Sequence, residues 1–95
     1  MERYKTHSEV VGIANEFFGV DIRHNPKVGE ISWEAKCMTA YYLSNSLNHR
    51  SVGQICEAVN STINEVSLFE FNGKAIISLP KNKMKYLALK KLIEE

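Results

Sequence analysis

With 95 residues, 44% of them hydrophobic and 24% charged, the chain can build one modest core but not two independent ones. The formal charge of +1 is unevenly spread: residues 1–34 carry −2, residues 35–73 carry −1 and residues 74–95 carry +4, so any basic footprint must be local. No apolar run approaches the roughly 20 residues that cross a bilayer, and the start Met1-Glu2-Arg3-Tyr4-Lys5-Thr6 is polar, so an unexported, cytoplasmic protein without membrane partners is expected.

Thr6-His7-Ser8-Glu9 has the spacing of a capping box, in which a hydroxyl and a glutamate satisfy free amides at a helix start. Val10, Ile13, Ala14 and Phe17 continue at helical spacing and Gly19 suits a left-handed stop, which predicts a helix over about residues 7–18. Residues 20–31 hold Asn25-Pro26 and Gly29 without a clear period and read as a loop. Ser32 is the expected cap of a long central helix from Trp33 to Leu47, whose apolar face includes Trp33, Ala35, Cys37, Met38, Ala40, Tyr41 and Tyr42. Cys37 and Cys56 lie far apart inside apolar-periodic stretches, as small core residues do, rather than as a disulfide or metal pair.

Ser51-Val52-Gly53-Gln54 again has capping-box spacing and leads into a short helix through Ile55, Cys56, Ala58 and Val59. Thr62-Ile63-Asn64-Glu65 repeats the signal after a very short gap, so the two helices form a helix-turn-helix candidate over about residues 51–77. Beyond Glu65 two readings compete. Asn72-Gly73 between Leu68-Phe69-Glu70-Phe71 and Ala75-Ile76-Ile77 has the composition of a β-hairpin, whereas continuing the capped helix costs about 1 kcal/mol for an internal glycine. The helix is favoured. A winged-helix arrangement with a hairpin at 67–79 stays open as the alternative. Pro80, suited to a first helical turn, precedes a last helix over about residues 81–94 with Met84, Leu87, Ala88 and Lys91 on one side and Tyr86, Leu89 and Ile93 on another. The expected fold is all-α: one domain over 1–95 with about five helices.

The order of these parts resembles the carboxy-terminal DNA-binding domain of the bacterial replication initiator DnaA, within the TrpR-like helix-turn-helix superfamily. Val10-Val11-Gly12-Ile13-Ala14-Asn15-Glu16-Phe17-Phe18-Gly19-Val20 is similar to the family's opening helix, which ends in an aromatic followed by Gly-Val. Glu34-Ala35-Lys36-Cys37-Met38-Thr39-Ala40-Tyr41-Tyr42-Leu43 is similar to its central "ARQIAMYL" segment, and Asn48-His49-Arg50-Ser51-Val52-Gly53-Gln54-Ile55 to the "N-H-S-L-P-E-I-G" stretch. The likeness spans roughly residues 9–66. It departs at the signature "G-R-D-H-T/S-T-V", whose place is taken by Val59-Asn60-Ser61-Thr62-Ile63-Asn64-Glu65-Val66.

The resemblance implies a reader of short duplex sites, and the altered signature implies a site other than the initiator's own box. Lys36 aligns with a family arginine that contacts DNA and could offer charge, against the plainer reading of a solvated lysine. His49, Arg50 and Ser51 precede the first helix of the motif, where family members touch the backbone. Arg50 is the best single candidate for a phosphate contact, while a histidine beside a turn is more often a surface residue. Ser61, Thr62 and Asn64 occupy the base-reading positions, although Thr62 is also a cap and Glu65 would repel phosphate. Lys81, Lys83, Lys85, Lys90 and Lys91 could add sequence-independent attraction or simply face water.

No phosphate loop, paired-histidine motif or cysteine–histidine pair is evident, so neither catalysis nor a cofactor or metal is expected. The expected function is double-stranded DNA binding in replication or transcription. The rival from another class is a protein-interaction module, with a protein partner or self-association, that keeps the fold without reading DNA.

Overall fold

In the computed structural model, which describes residues 4–95, the local start signals act first. Thr6 caps α1 (His7–Phe18): its Oγ1 accepts from the Glu9 amide at 3.1 Å and the Glu9 carboxylate accepts from the Thr6 amide at 3.0 Å. Gly19 ends the helix in the left-handed region at φ 69°, donating to the Asn15 carbonyl at 2.8 Å. The Asn15 side chain then accepts from the Ile22 amide at 2.8 Å, which turns the following loop inward and buries Ile22.

The second helix, α2 (Ile31–Asn45), begins and ends two residues before the predicted Trp33–Leu47 span. Its cap is Glu30, not Ser32, and no side chain closes it; the Glu30 carbonyl receives the Trp33 and Glu34 amides, while the Ser32 hydroxyl turns back to donate to the Glu30 carboxylate at 3.2 Å. At the other end, Ser44 and Asn45 both donate to the Tyr41 carbonyl, at 2.9 and 2.8 Å. Such side-chain bonds compete with the next helical turn and end it early.

Ser51 precedes α3 (Val52–Ala58), but its side chain makes no cap bond, so the second expected capping box does not form. The turn over residues 59–62 is held by backbone: the Asn60 amide donates to Glu57 at 3.2 Å and the Ser61 amide to Cys56 at 2.9 Å, a Schellman pattern with Asn60 left-handed at φ 52°. Thr62 and Glu65 form the third predicted box, at 3.2 and 2.9 Å, and open α4 (Ile63–Ile77). The helix runs unbroken through Asn72-Gly73, so the hairpin alternative at 67–79 is not what forms. After the two residues Ser78 and Leu79, Pro80 starts α5 (Pro80–Glu94). The described residues hold five helices and no strand: the fold is all-α.

Tertiary packing explains Gly73. A Cβ built there would sit 2.5 Å from the Cys37 carbonyl oxygen and 2.9 Å from the Tyr41 Cβ. α4 lies directly on α2 at this point, and only a glycine permits the approach. Every residue from Ala35 to Ala40 is buried, so α2 is the axis around which the others pack. Val10 and Ala14 from α1, Met38 and Leu43 from α2, Ile55 from α3, Val66 from α4 and Leu89 and Ile93 from α5 join one core. Among the described residues, no helix is long and apolar enough to cross a membrane.

Gly73→Ala should lower the unfolding free energy by about 1–3 kcal/mol, because overpacking against backbone outweighs the roughly 1 kcal/mol helix-propensity gain of alanine. Urea denaturation followed at 222 nm measures this, and an alanine variant more stable than the parent would contradict the close-approach account.

Candidate nucleic-acid interface

The sequence-predicted residues divide into those that the fold presents and those that it buries. Arg50 and Ser51 are exposed ahead of α3. Thr62 and Asn64 are exposed at the start of α4, and Ser61 is half-buried in the turn, its Oγ donating to the Val59 carbonyl at 3.2 Å. Helical spacing places Asn64, Ser67, Leu68 and Phe71 on one outward stripe of α4, opposite buried Val66, Phe69 and Gly73. Thr62 Oγ1 accepts from the Glu65 amide. Hydrogen bonds from the Thr62 backbone and then its side chain hold the exposed Glu65 carboxyl below the ordinary carboxylate range. That carboxylate is thus anchored to the helix start instead of extending from it.

Lys36 does not fit a DNA contact, nor is it a solvated lysine. It is 0% exposed, with its ammonium 3.4 Å from the His24 carbonyl and 5.3 Å from the centre of the Phe69 ring. Because α2 is covered on every side, a position that looks polar from its residue type is enclosed. Burial pushes its pKa below the ordinary 10.5, against the attraction of Glu65 and then Asp21.

His49 is also a correction, being 3% exposed and not a surface residue. Its Nε2 donates to the Lys5 carbonyl at 2.5 Å, leaving Nδ1 to accept from Ser46 Oγ at 2.6 Å in the neutral tautomer. The His7 ring donates to the His49 carbonyl at 3.2 Å, and Tyr4, His7 and Tyr42 pack their rings around the imidazole. Lys5 also donates to the Ile93 and Glu95 carbonyls at 2.8 and 2.9 Å, so residues 4–7 stitch the end of α5 to the loop that carries Arg50. His49 holds that loop rather than contacting a ligand.

The fold also brings in a residue that the sequence reading missed. Asn60 Nδ2 donates to the Arg23 carbonyl at 3.0 Å, which fixes exposed Arg23 beside the turn between α3 and α4. Arg23, Gln54, Glu57 and Asn60 line a cleft of about 490 Å³ there. Nothing in the local pattern around Arg23 marks it, since the contact spans 37 positions.

Trp33, Tyr41, Tyr42 and Cys37 serve packing. The Trp33 ring meets Phe69 edge-on at 5.3 Å and Tyr41 meets Tyr86 at 5.6 Å. Tyr42 donates to Glu94 at 3.1 Å, and burial followed by the Glu94 charge raises its pKa to about 12. Cys37 is buried, its thiol pushed up to about 12 by burial and then Glu34, whereas Cys56 is half-buried; both are free. Among the described residues, no three His, Cys, Asp or Glu side chains gather to hold a metal.

Lys36→Met should raise stability by about 1 kcal/mol or more at pH 7, since a buried ammonium is exchanged for an apolar chain of similar volume. The folded pKa lies below the unfolded one, so the unfolded chain binds more protons between them and the parent gains stability as pH rises through that window. The advantage of the methionine variant should therefore shrink between pH 7 and pH 10.5, as measured by denaturant midpoints; a constant advantage would mean that the charge is not what burdens the site.

No family model, no curated protein and no solved structure matches this chain.

Proposed function

We propose that this chain binds double-stranded DNA, with α3 and α4 acting as a helix-turn-helix and the outward start of α4 meeting the major groove. The observation that carries this reading is the solvent-facing start of α4, with Thr62 and Asn64 exposed, offered after a turn locked by the Schellman bonds and Asn60. Hydroxyls and amides pair with base edges, and an apolar side chain can meet a thymine methyl, so Ser61, Thr62, Asn64 and Leu68 form a chemically competent reading set. Arg50 and Ser51 ahead of α3, with Arg23 beside the turn, supply contacts to phosphate.

The resemblance to the DnaA carboxy-terminal domain supports the same assignment of the two helices. With the Arg-Asp-His signature replaced, the duplex site differs from the initiator's box. The process served is replication or transcription control by analogy with that family.

One observation favours a protein-interaction module as the second reading: Phe71 is 73% exposed on the same stripe of α4 as Asn64, with Leu68 beside it. An apolar pair at the centre of an outward helix face suits a protein groove as well as a DNA groove.

Fluorescence anisotropy on a mixed-sequence duplex and on duplexes selected from a random library separates the two. Binding should weaken linearly in log K against log salt, and Arg23→Ala and Arg50→Ala should each flatten the slope by about 0.9. Lys36→Met should leave the slope unchanged. No duplex affinity tighter than about 100 μM at low salt would overturn the DNA reading in favour of the second.

A further inference from the structure

Of the side chains at the start of α4, Glu65 suits a phosphate contact least, and its placement gives it a different use. Its Oε1 accepts from the Thr62 amide at 2.9 Å, and the Thr62 hydroxyl accepts from the Glu65 amide at 3.2 Å. The carboxylate therefore folds back onto the tip of the helix, where the residue is exposed. Among the described residues, Oε2 has no hydrogen-bond partner and no lysine or arginine forms an ion pair with it. We infer that Glu65 is a base-reading residue, whose open oxygen accepts from an exocyclic amino group in the major groove and selects cytosine at one position of the duplex site. The inference rests on α4 being the helix that faces the groove.

Two features turn this tip away from phosphate. A helix start binds anions through its free amides, and here the cap occupies those of Thr62 and Glu65. The cap also adds a negative charge, which phosphate repels. Hydrogen bonds from the Thr62 backbone and then its side chain lower the Glu65 pKa, so the charge persists at neutral pH. What such a tip can meet in the groove is a hydrogen-bond donor.

The chemistry of the base edges narrows that donor to one base. The neighbouring Thr62 hydroxyl and Asn64 amide, both on exposed residues, can donate or accept and so tolerate several bases. The ionised carboxylate only accepts. The major groove offers two kinds of donor, the amino groups of cytosine and adenine. Adenine sets its amino group beside the N7 acceptor, whereas cytosine carries no acceptor on its groove edge, so a carboxylate favours cytosine. Guanine and thymine present acceptors and are disfavoured. The cap bond holds the carboxylate, and the Asn60 bond to the Arg23 carbonyl holds the turn before it, so little ordering is left to be done on binding.

Glu65→Gln isolates this role, because a glutamine three residues after the cap also completes a capping box and has nearly the same shape. Selection from a random duplex library should give the full chain a motif with cytosine at one position, and replacing that cytosine should weaken binding about tenfold by anisotropy. With Glu65→Gln, preference at that position alone should move toward adenine, whose amino group and N7 a glutamine pairs with. Binding of the variant to a mixed-sequence duplex should tighten about threefold, since one negative charge near phosphate is removed. The same motif in both proteins would overturn the inference and leave the DNA reading standing. So would a variant weakened alike on all duplexes with a lower urea midpoint, the result expected of a cap and nothing more. No duplex binding by the parent would overturn the DNA reading and this inference with it.

Discussion

The contact between Gly73 and the Cys37 carbonyl is the constraint from which much of the architecture follows. By letting α4 rest directly on α2, it encloses the last open side of the central helix and brings Phe69 over Lys36 and against Trp33. It also determines the direction of α4, hence which of its residues face solvent. A glycine that costs about 1 kcal/mol in an isolated helix is retained because close packing requires it, which is the usual way in which tertiary context overrides propensity.

Around that axis the remaining polar bonds act as ties between distant segments. Lys5 and His49 bind the start of the chain to the end of α5 and to the loop before α3. Asn60 binds the α3–α4 turn to Arg23, and Lys36 reaches the neighbouring His24 carbonyl. Two of these ties therefore converge on the loop over residues 20–30, which packs as part of the structure although it has no secondary structure of its own. The surface proposed to meet DNA is held at the loop before α3 by the first tie and at the α3–α4 turn by the second, so its rigidity comes from outside the two helices themselves. Electrostatics add little to stability here: the pairs His24–Asp21 and Lys85–Glu34, at 3.4 and 3.6 Å, are substantially exposed. The enclosed ammonium of Lys36 works against the fold.

The outward faces of α4 and α5 differ in kind. The start of α4 exposes Thr62 and Asn64 beside the cap, so its chemistry includes hydrogen bonding to an edge or a phosphate. The outer stripe of α5 is apolar, with Met84 and Leu87 exposed and lysines in both halves of the helix, so its chemistry is packing. A short chain that spends half of its last helix on the core and leaves the other half uncovered has limited means of hiding apolar area internally.

What sequence alone determined was whatever depends on neighbours three or four residues apart. The Thr6–Glu9 and Thr62–Glu65 boxes, the Gly19 stop and the Pro80 start all formed where they were read, and with them the helical class and the number of helices. Ser32 and Ser51 carried equally plausible signals and made no caps, because a serine's hydroxyl can find a nearer partner or water once the flanking chain takes its course. Tertiary structure decided the rest: that Asn72-Gly73 continues a helix, that Lys36 and His49 are enclosed, that Arg23 sits beside the turn, and which stripe of α5 is left open. Each depends on a contact across many positions of the chain, and burial is a property of what arrives from elsewhere, which no local spacing encodes.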